Sequence, residues 1–151
     1  FSIQPFLEEG TPEAQRYLRS WLHHLSEYIH SLDLIHSRPL TKILRSEPPY
    51  TIAVAFGVAG KEYSIYVADS QEYSDIRNDD VPEVHQRGRS AGEPISGVVE
   101  LDLPATTLRI ETFTPTTGQY GEPKIICGGL GTHIELAPFE HDTAIHLTVT
   151  T

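Results

Sequence analysis

Glu100 and Asp102 stand two residues apart, and Glu111 and Glu135 fall in two further alternating stretches. Two carboxyl groups can cleave a glycosidic bond when they face each other across the sugar with unequal pKa values. The separation needed is about 5.5 Å for a double displacement and about 6.5–9.5 Å for a single one. Alternate strand residues share a face, so Glu100 and Asp102 lie side by side, as do Arg109, Glu111 and Phe113. That is the pattern of a solvated sheet face, and no catalytic residue is assigned. Eight histidines are present, His23, His24, His30, His36, His85, His133, His141 and His146, and none forms a zinc-type spacing with a third ligand. His133, Glu140, His141 and Asp142 would gather at one end if the last two strands paired as a hairpin. They read as turn residues, and no metal or other cofactor is assigned. The single cysteine, Cys127, follows the apolar pair Ile125-Ile126 and reads as a small buried hydrophobe rather than a nucleophile, which would need a base beside it. The glycines after it lack the Gly-Lys-Ser/Thr ending of a phosphate loop and read as a turn. Asp80, His85 and Ser90 have no nucleophile-elbow context.

Binding asks less of the chain than catalysis does. A sugar site needs an exposed aromatic ring with polar groups beside it. Tyr63, Tyr66, Tyr73, Phe113 and Tyr120 are candidates for the ring, and strand parity sends Tyr63 and Tyr66 to opposite faces. The binding candidates are therefore Tyr66, Tyr73 and Tyr120, with Asp79, Asp80 and Arg87 as polar partners. Four of these six lie in the stretch from Asp69 to Pro94, where strand pattern disappears and charge accumulates. Some 25 residues is long for an inert connection, so this stretch reads as a binding loop or a disordered insertion.

The elements that must position these residues follow from periodicity. Thr11-Pro12-Glu13 is a helix start, with a capping hydroxyl, a proline at the first turn and an acid at the positive end. Ala14, Tyr17, Leu18, Trp21, Leu22, Leu25, Tyr28, Ile29 and Leu32 then recur at helical steps, predicting one long amphipathic helix that ends near Leu32, before Arg38-Pro39. His23 and His30 fall on its polar face. The apolar stripe must be covered by the chain's own sheet, by a neighbouring domain or by a larger protein. A self-contained module would bury it on its own sheet, whereas a subunit would keep the Trp21 face for its partner, so Tyr17, Trp21, Leu25 and Tyr28 are the candidate partner interface. Glu47-Pro48-Pro49 is a rigid joint. Beyond it, seven alternating runs read as strands: Thr51–Phe56, Glu62–Val67, Gly97–Leu103, Thr107–Phe113, Lys124–Cys127, His133–Leu136 and Ala144–Val149. The expected fold is mostly β, an antiparallel β-sandwich preceded by one long amphipathic α-helix, with a helical segment over 1–47 and the sandwich over 48–151.

The chain of 151 residues has room for one hydrophobic core. Apolar residues make up 38% and charged residues 21%, a globular balance. A net charge of -10 argues against nucleic acid and against an anionic membrane surface as partners. One cysteine excludes an internal disulfide framework but leaves the compartment open. No leader pattern is read, and the chain opens at Phe1, as a processed chain or a fragment would.

Three stretches carry a resemblance. Leu18 to Pro39 resembles the closing helix and exit of certain glycoside-hydrolase-like (β/α)8 barrels. Lys61–Val67 resembles the strand that opens their C-terminal β domain, sometimes labelled collagen-binding. Val99–Pro104 followed by Leu108–Gly118 is similar to a hairpin of that domain in which a strand leads into (D/N)-P-R-T-G. Thr114 and Thr116 depart from that motif. The resemblance implies a glycan-hydrolysing barrel followed by this sandwich, with the catalytic carboxylates on the barrel and none here. It makes the chain a non-catalytic accessory domain or small subunit of a glycoside-hydrolase-type protein, with a catalytic barrel and a glycan as its partners. A stand-alone carbohydrate- or protein-binding module is the alternative reading, and a small carboxylate-dependent hydrolase the third.

Overall fold

A computed structural model describes residues 12–70 and 93–150. One helix, α1 (Pro12–His30), precedes ten strands: β1 (Arg38–Pro39), β2 (Leu44–Ser46), β3 (Thr51–Val58), β4 (Glu62–Asp69), β5 (Ile95–Leu101), β6 (Thr107–Thr114), β7 (Gln119–Tyr120), β8 (Lys124–Cys127), β9 (Thr132–Phe139) and β10 (Asp142–Val149). The large sheet runs β1-β3-β4-β10-β6-β7, with β8 also paired to β6, and the small sheet runs β2-β5-β9. Every pairing is antiparallel. The mostly β, antiparallel fold with one helix in front is the one that periodicity predicts. All seven expected strands form, several of them a residue or two longer.

The three strands beyond those seven, β1, β2 and β7, span two or three residues each. Runs that short carry no period, and their pairing comes from neighbours already in place. Two of them, β1 and β2, lie before residue 48 and join one sheet each. Pro48 is fully buried, so the joint is packed as well as stiff. β9 and β10 do not pair with each other, because the chain crosses from the small sheet to the large one between them. His133 sits opposite Glu100 and Phe139 opposite Ile95, at the two ends of β9. The expected gathering of His133, Glu140, His141 and Asp142 therefore does not occur.

Between the sheets lies the main core, with Ile65 and Val67, Val99 and Leu101, Leu108 and Ile110, Ile134 and Leu136, and Ile145 and Leu147 contributed in alternation by five strands. Leu108, Leu101, Ile145 and Leu147 are wholly removed from water, each worth about 1.5–3 kcal/mol of transfer free energy. Cys127 is exposed, against expectation. β8 is an edge strand whose alternation turns Ile126 toward the core and leaves Ile125, 63% exposed, and Cys127 outside.

A second, smaller core lies on the other side of the large sheet. Tyr28 and Leu32 pack there on Phe113 and Ala144, with Phe56 and Tyr66 at the margin. The helix thus lies on the chain's own sheet. Gly118 closes the turn after β6 at φ 72°, where a side chain would meet the His24 ring 2.7 Å away. The His24 Nδ1–H donates to the Pro115 carbonyl at 3.1 Å, since that oxygen can only accept. Among the described residues no helix is long and apolar enough to cross a membrane.

Candidate functional site

Directly paired strand residues point to the same face of a sheet. The register of β10 against β4 and β6 therefore puts Glu62, Ser64 and Tyr66, Asp142, Ala144 and His146, and Glu111 and Phe113 on the face that carries α1. Tyr120 joins them opposite Phe113. The helix covers the middle of this face and leaves a polar cluster at each end.

In the middle, the Tyr28 ring stacks on Phe113 with centroids 4.7 Å apart and planes 7° from parallel. Its hydroxyl is hydrogen-bonded to Ser64 Oγ at 2.6 Å. Burial pushes the phenol up to about 12, and nearby Tyr120, Glu62 and Glu111 push the same way against the opposing Ser64 bond.

At one end, Asp142 is 1% exposed. Its Oδ2 accepts from the Tyr66 hydroxyl at 2.5 Å and from the Trp21 indole N–H at 3.3 Å. The Trp21 ring lies 5.5 Å from His141 and 6.2 Å from Tyr17. His141 and Tyr50 both adopt left-handed backbone, at φ 67° and 66°, a conformation costing roughly 1–2 kcal/mol per non-glycine residue. Their carbonyls accept from the amides of Asp69 and Ser70 at 2.8 and 2.9 Å, which holds them there. A cleft of about 340 Å³ lined by Pro49, Tyr50, Glu93, Pro94, Ile95 and Ser96 opens beside Tyr50.

At the other end, the His146 Nε2–H donates to Glu62 Oε1 at 2.6 Å, while Nδ1 lies 3.8 Å from Glu111 Oε1. Glu62 Oε2 accepts from the Asp33 amide, tying the strand to the segment after the helix. Arg109 bridges to Glu111 at 3.1 Å. The two carboxylates flank a common centre that the imidazole occupies, and the row ties β4, β10 and β6 together across the sheet face.

Of the residues singled out in the sequence, Tyr66 and Trp21 meet on Asp142, and Tyr28 and Tyr120 meet around Phe113. Tyr28 and Trp21 are engaged by the chain's own sheet, Leu25 is half-buried, and Tyr17 is 48% exposed. Tyr73, Asp79, Asp80 and Arg87 lie outside the described residues, as do His85 and Ser90. Glu111 and Glu135 occupy outer faces of different sheets. Arg109, Glu111 and Phe113 share a face as expected, yet Phe113 is 2% exposed rather than solvated because the helix covers it. Asp102 pairs with Arg45 at 2.6 Å and accepts from the Gly131 amide at 2.9 Å, contacts that hold its carboxyl below the usual range. No group of three or more His, Cys, Asp and Glu arranged to hold a metal ion occurs among the described residues. Glu62 and His146 carry no site signal in the sequence, where Asp142 reads only as a turn residue beside His141, since the helix lying across the sheet is what distinguishes all three from surface residues.

No protein-family model matches the chain, and no curated protein does. Solved structures do. One, described as a glycoside hydrolase, superposes with a TM-score of 0.55 at 10% identity, over 84% of this chain and 24% of its own. A glycoside hydrolase family 5 protein from Bacteroides vulgatus gives 0.50 at 9% identity, over 85% and 24%. The fold is related to part of glycoside hydrolases. The chain spans about a quarter of the length of these proteins. Residues 48–151 are 104 of the 151, fewer than an 84% match requires, so the likeness reaches into the segment before residue 48.

Proposed function

We propose that the chain is a non-catalytic accessory domain of a glycoside-hydrolase-type protein, in which it stabilises a separate catalytic barrel and borders its glycan cleft. The observation that carries this reading is the asymmetry of the structural likeness: nearly all of this chain is similar to a small part of much longer glycoside hydrolases. The chemistry of the described residues supports it, because the carboxylates of the helix-bearing face are clamped by His146, Arg109, Tyr66 and Trp21 instead of facing an open cleft.

Native mass spectrometry with peptide mapping on natively purified material tests this. The expected result is a barrel of roughly 250–400 residues, either in the same polypeptide or as a co-purifying chain. A lone, stable 16.8 kDa monomer would overturn it, as would release of reducing sugar from polysaccharides by the 151-residue chain alone. A second reading, a stand-alone binding module, is favoured by one feature: α1 is packed on the chain's own sheet through Tyr28 and Trp21.

A further inference from the structure

We propose that the margin of the helix-bearing face along β6, β7 and β8 binds a single neutral pyranose unit of a glycan, with Tyr120 as the stacking platform and Arg109, held in place by Glu111, as the hydroxyl-binding side chain. Tyr120 is 47% exposed. Its ring is braced from behind by Phe113 at 4.9 Å and Tyr28 at 6.5 Å. A braced ring loses little conformational freedom on binding, which suits it to the apolar C–H face of a sugar.

The polar half of the site follows from register. Tyr120 pairs with Phe113, and Glu111 is the next residue of β6 on the same face, a step of about 6.8 Å along the strand. One sugar ring can bridge that step. Arg109 offers N–H donors next to the Glu111 acceptor, and its side chain stays 43% exposed while bridged to Glu111. The guanidinium N–H groups left over from the Glu111 bridge are held in one plane and can donate to vicinal hydroxyls, whose oxygens accept. His146 lies beside Glu111, with Nδ1 3.8 Å from its carboxylate, and Ile125, paired with Arg109 and 63% exposed, forms the outer apolar wall.

The ligand's character follows from the same residues. Glu62 and Glu111 on the floor, in a chain of net charge -10, repel uronic acids, sulfated sugars and nucleic acid. The charged floor is equally wrong for a lipid. Among the described residues Tyr120 is the exposed ring beside Arg109, with no second one in line with it on β6 to β8, which fits a single sugar unit of a soluble chain rather than the flat surface of a crystalline polymer. The choice of a glycan rests on the glycoside-hydrolase reading above.

The test is a titration of the 15N-labelled 151-residue chain with cellotetraose, xylotetraose, mannotetraose and maltotetraose, followed by amide shifts. At least one should move the amides of Arg109, Glu111, Tyr120 and Ile125 saturably. Tyr120→Ala and, separately, Arg109→Ala should each weaken that binding fivefold or more while the rest of the spectrum stays put. Absence of shifts with all four sugars, shifts confined to another surface, or variants that bind like the parent chain would each overturn the proposal. A null titration alongside a co-purifying barrel would sink this site and leave the accessory reading standing. Sugar binding by a lone monomer would do the opposite.

Discussion

Replacing Tyr28 by alanine asks whether α1 belongs to the sandwich or only rests on it. Tyr28 is 2% exposed, stacked on Phe113 and bonded to Ser64, itself 1% exposed. Deleting a buried aromatic costs about 3–5 kcal/mol, of which ring stacking supplies about 0.5–1.5 kcal/mol. Tyr28→Phe keeps the ring and strands the Ser64 hydroxyl without that partner, a change worth about 1–3 kcal/mol. The assay is urea unfolding followed by two probes. Trp21 is the only tryptophan and sits on α1, so its fluorescence reports the helix, while protection of the core amides of β4 and β10 from hydrogen exchange in urea reports the sheets. In a single cooperative unit the two transitions coincide and move together to lower urea in both variants. Alkali gives a second handle. Below pH 10 the phenol is neutral in both states and its contribution is complete. Between pH 10 and about 12 the unfolded chain ionises first, so stability falls as pH rises, by roughly 2–3 kcal/mol in all. Tyr28→Phe removes that part of the alkaline loss. A Tyr28→Ala protein with an unshifted sheet transition, or a Trp21 signal lost well before the sheet, would refute the assignment of the helix to this fold.

Other tests reach the remaining elements. Asp102→Asn should flatten the acid limb of the stability curve: with its carboxyl held low by Arg45, Asp102 contributes stability above the ordinary carboxylate range that is lost as pH falls through the depressed value, so an unchanged acid limb in a pH series of melts would count against the bridge. Gly57→Ala should destabilise by about 1–3 kcal/mol, because a β-carbon there would lie 2.2 Å from the Glu62 carbonyl oxygen across the β3–β4 hairpin; a parent-like melting temperature would show that the hairpin has room. Cys127 should react with a water-soluble disulfide reagent in the native protein as fast as in urea, and protection of the thiol would mean that β8 is covered.

Local periodicity made much of this molecule readable. The two-residue alternation of β3 to β6 and of β8 to β10 and the helical stripe of α1 are properties of neighbouring residues, so parity alone sends Tyr63 and Tyr66 to opposite faces, and the packing decides that Tyr63 is the one in the core. The same parity would have turned Cys127 outward once β8 was known to be an edge strand, but strand order is a long-range fact that no window of sequence contains. The last two strands illustrate the same limit. They look like a hairpin and instead cross between sheets, which separates His133 from His141.

The sequence by itself determined the class of the fold, the helix, and the division of each strand into a core face and an outer face, because these depend on side chains a few residues apart. Only the tertiary structure decided what the helix covers. By laying Trp21 and Tyr28 across the large sheet, it turns Asp142 and Phe113 from surface residues into buried ones and frames the Glu62–His146–Glu111–Arg109 row. Burial is set by the sum of contacts from residues up to 121 positions apart, and that sum is fixed only when the sheets close.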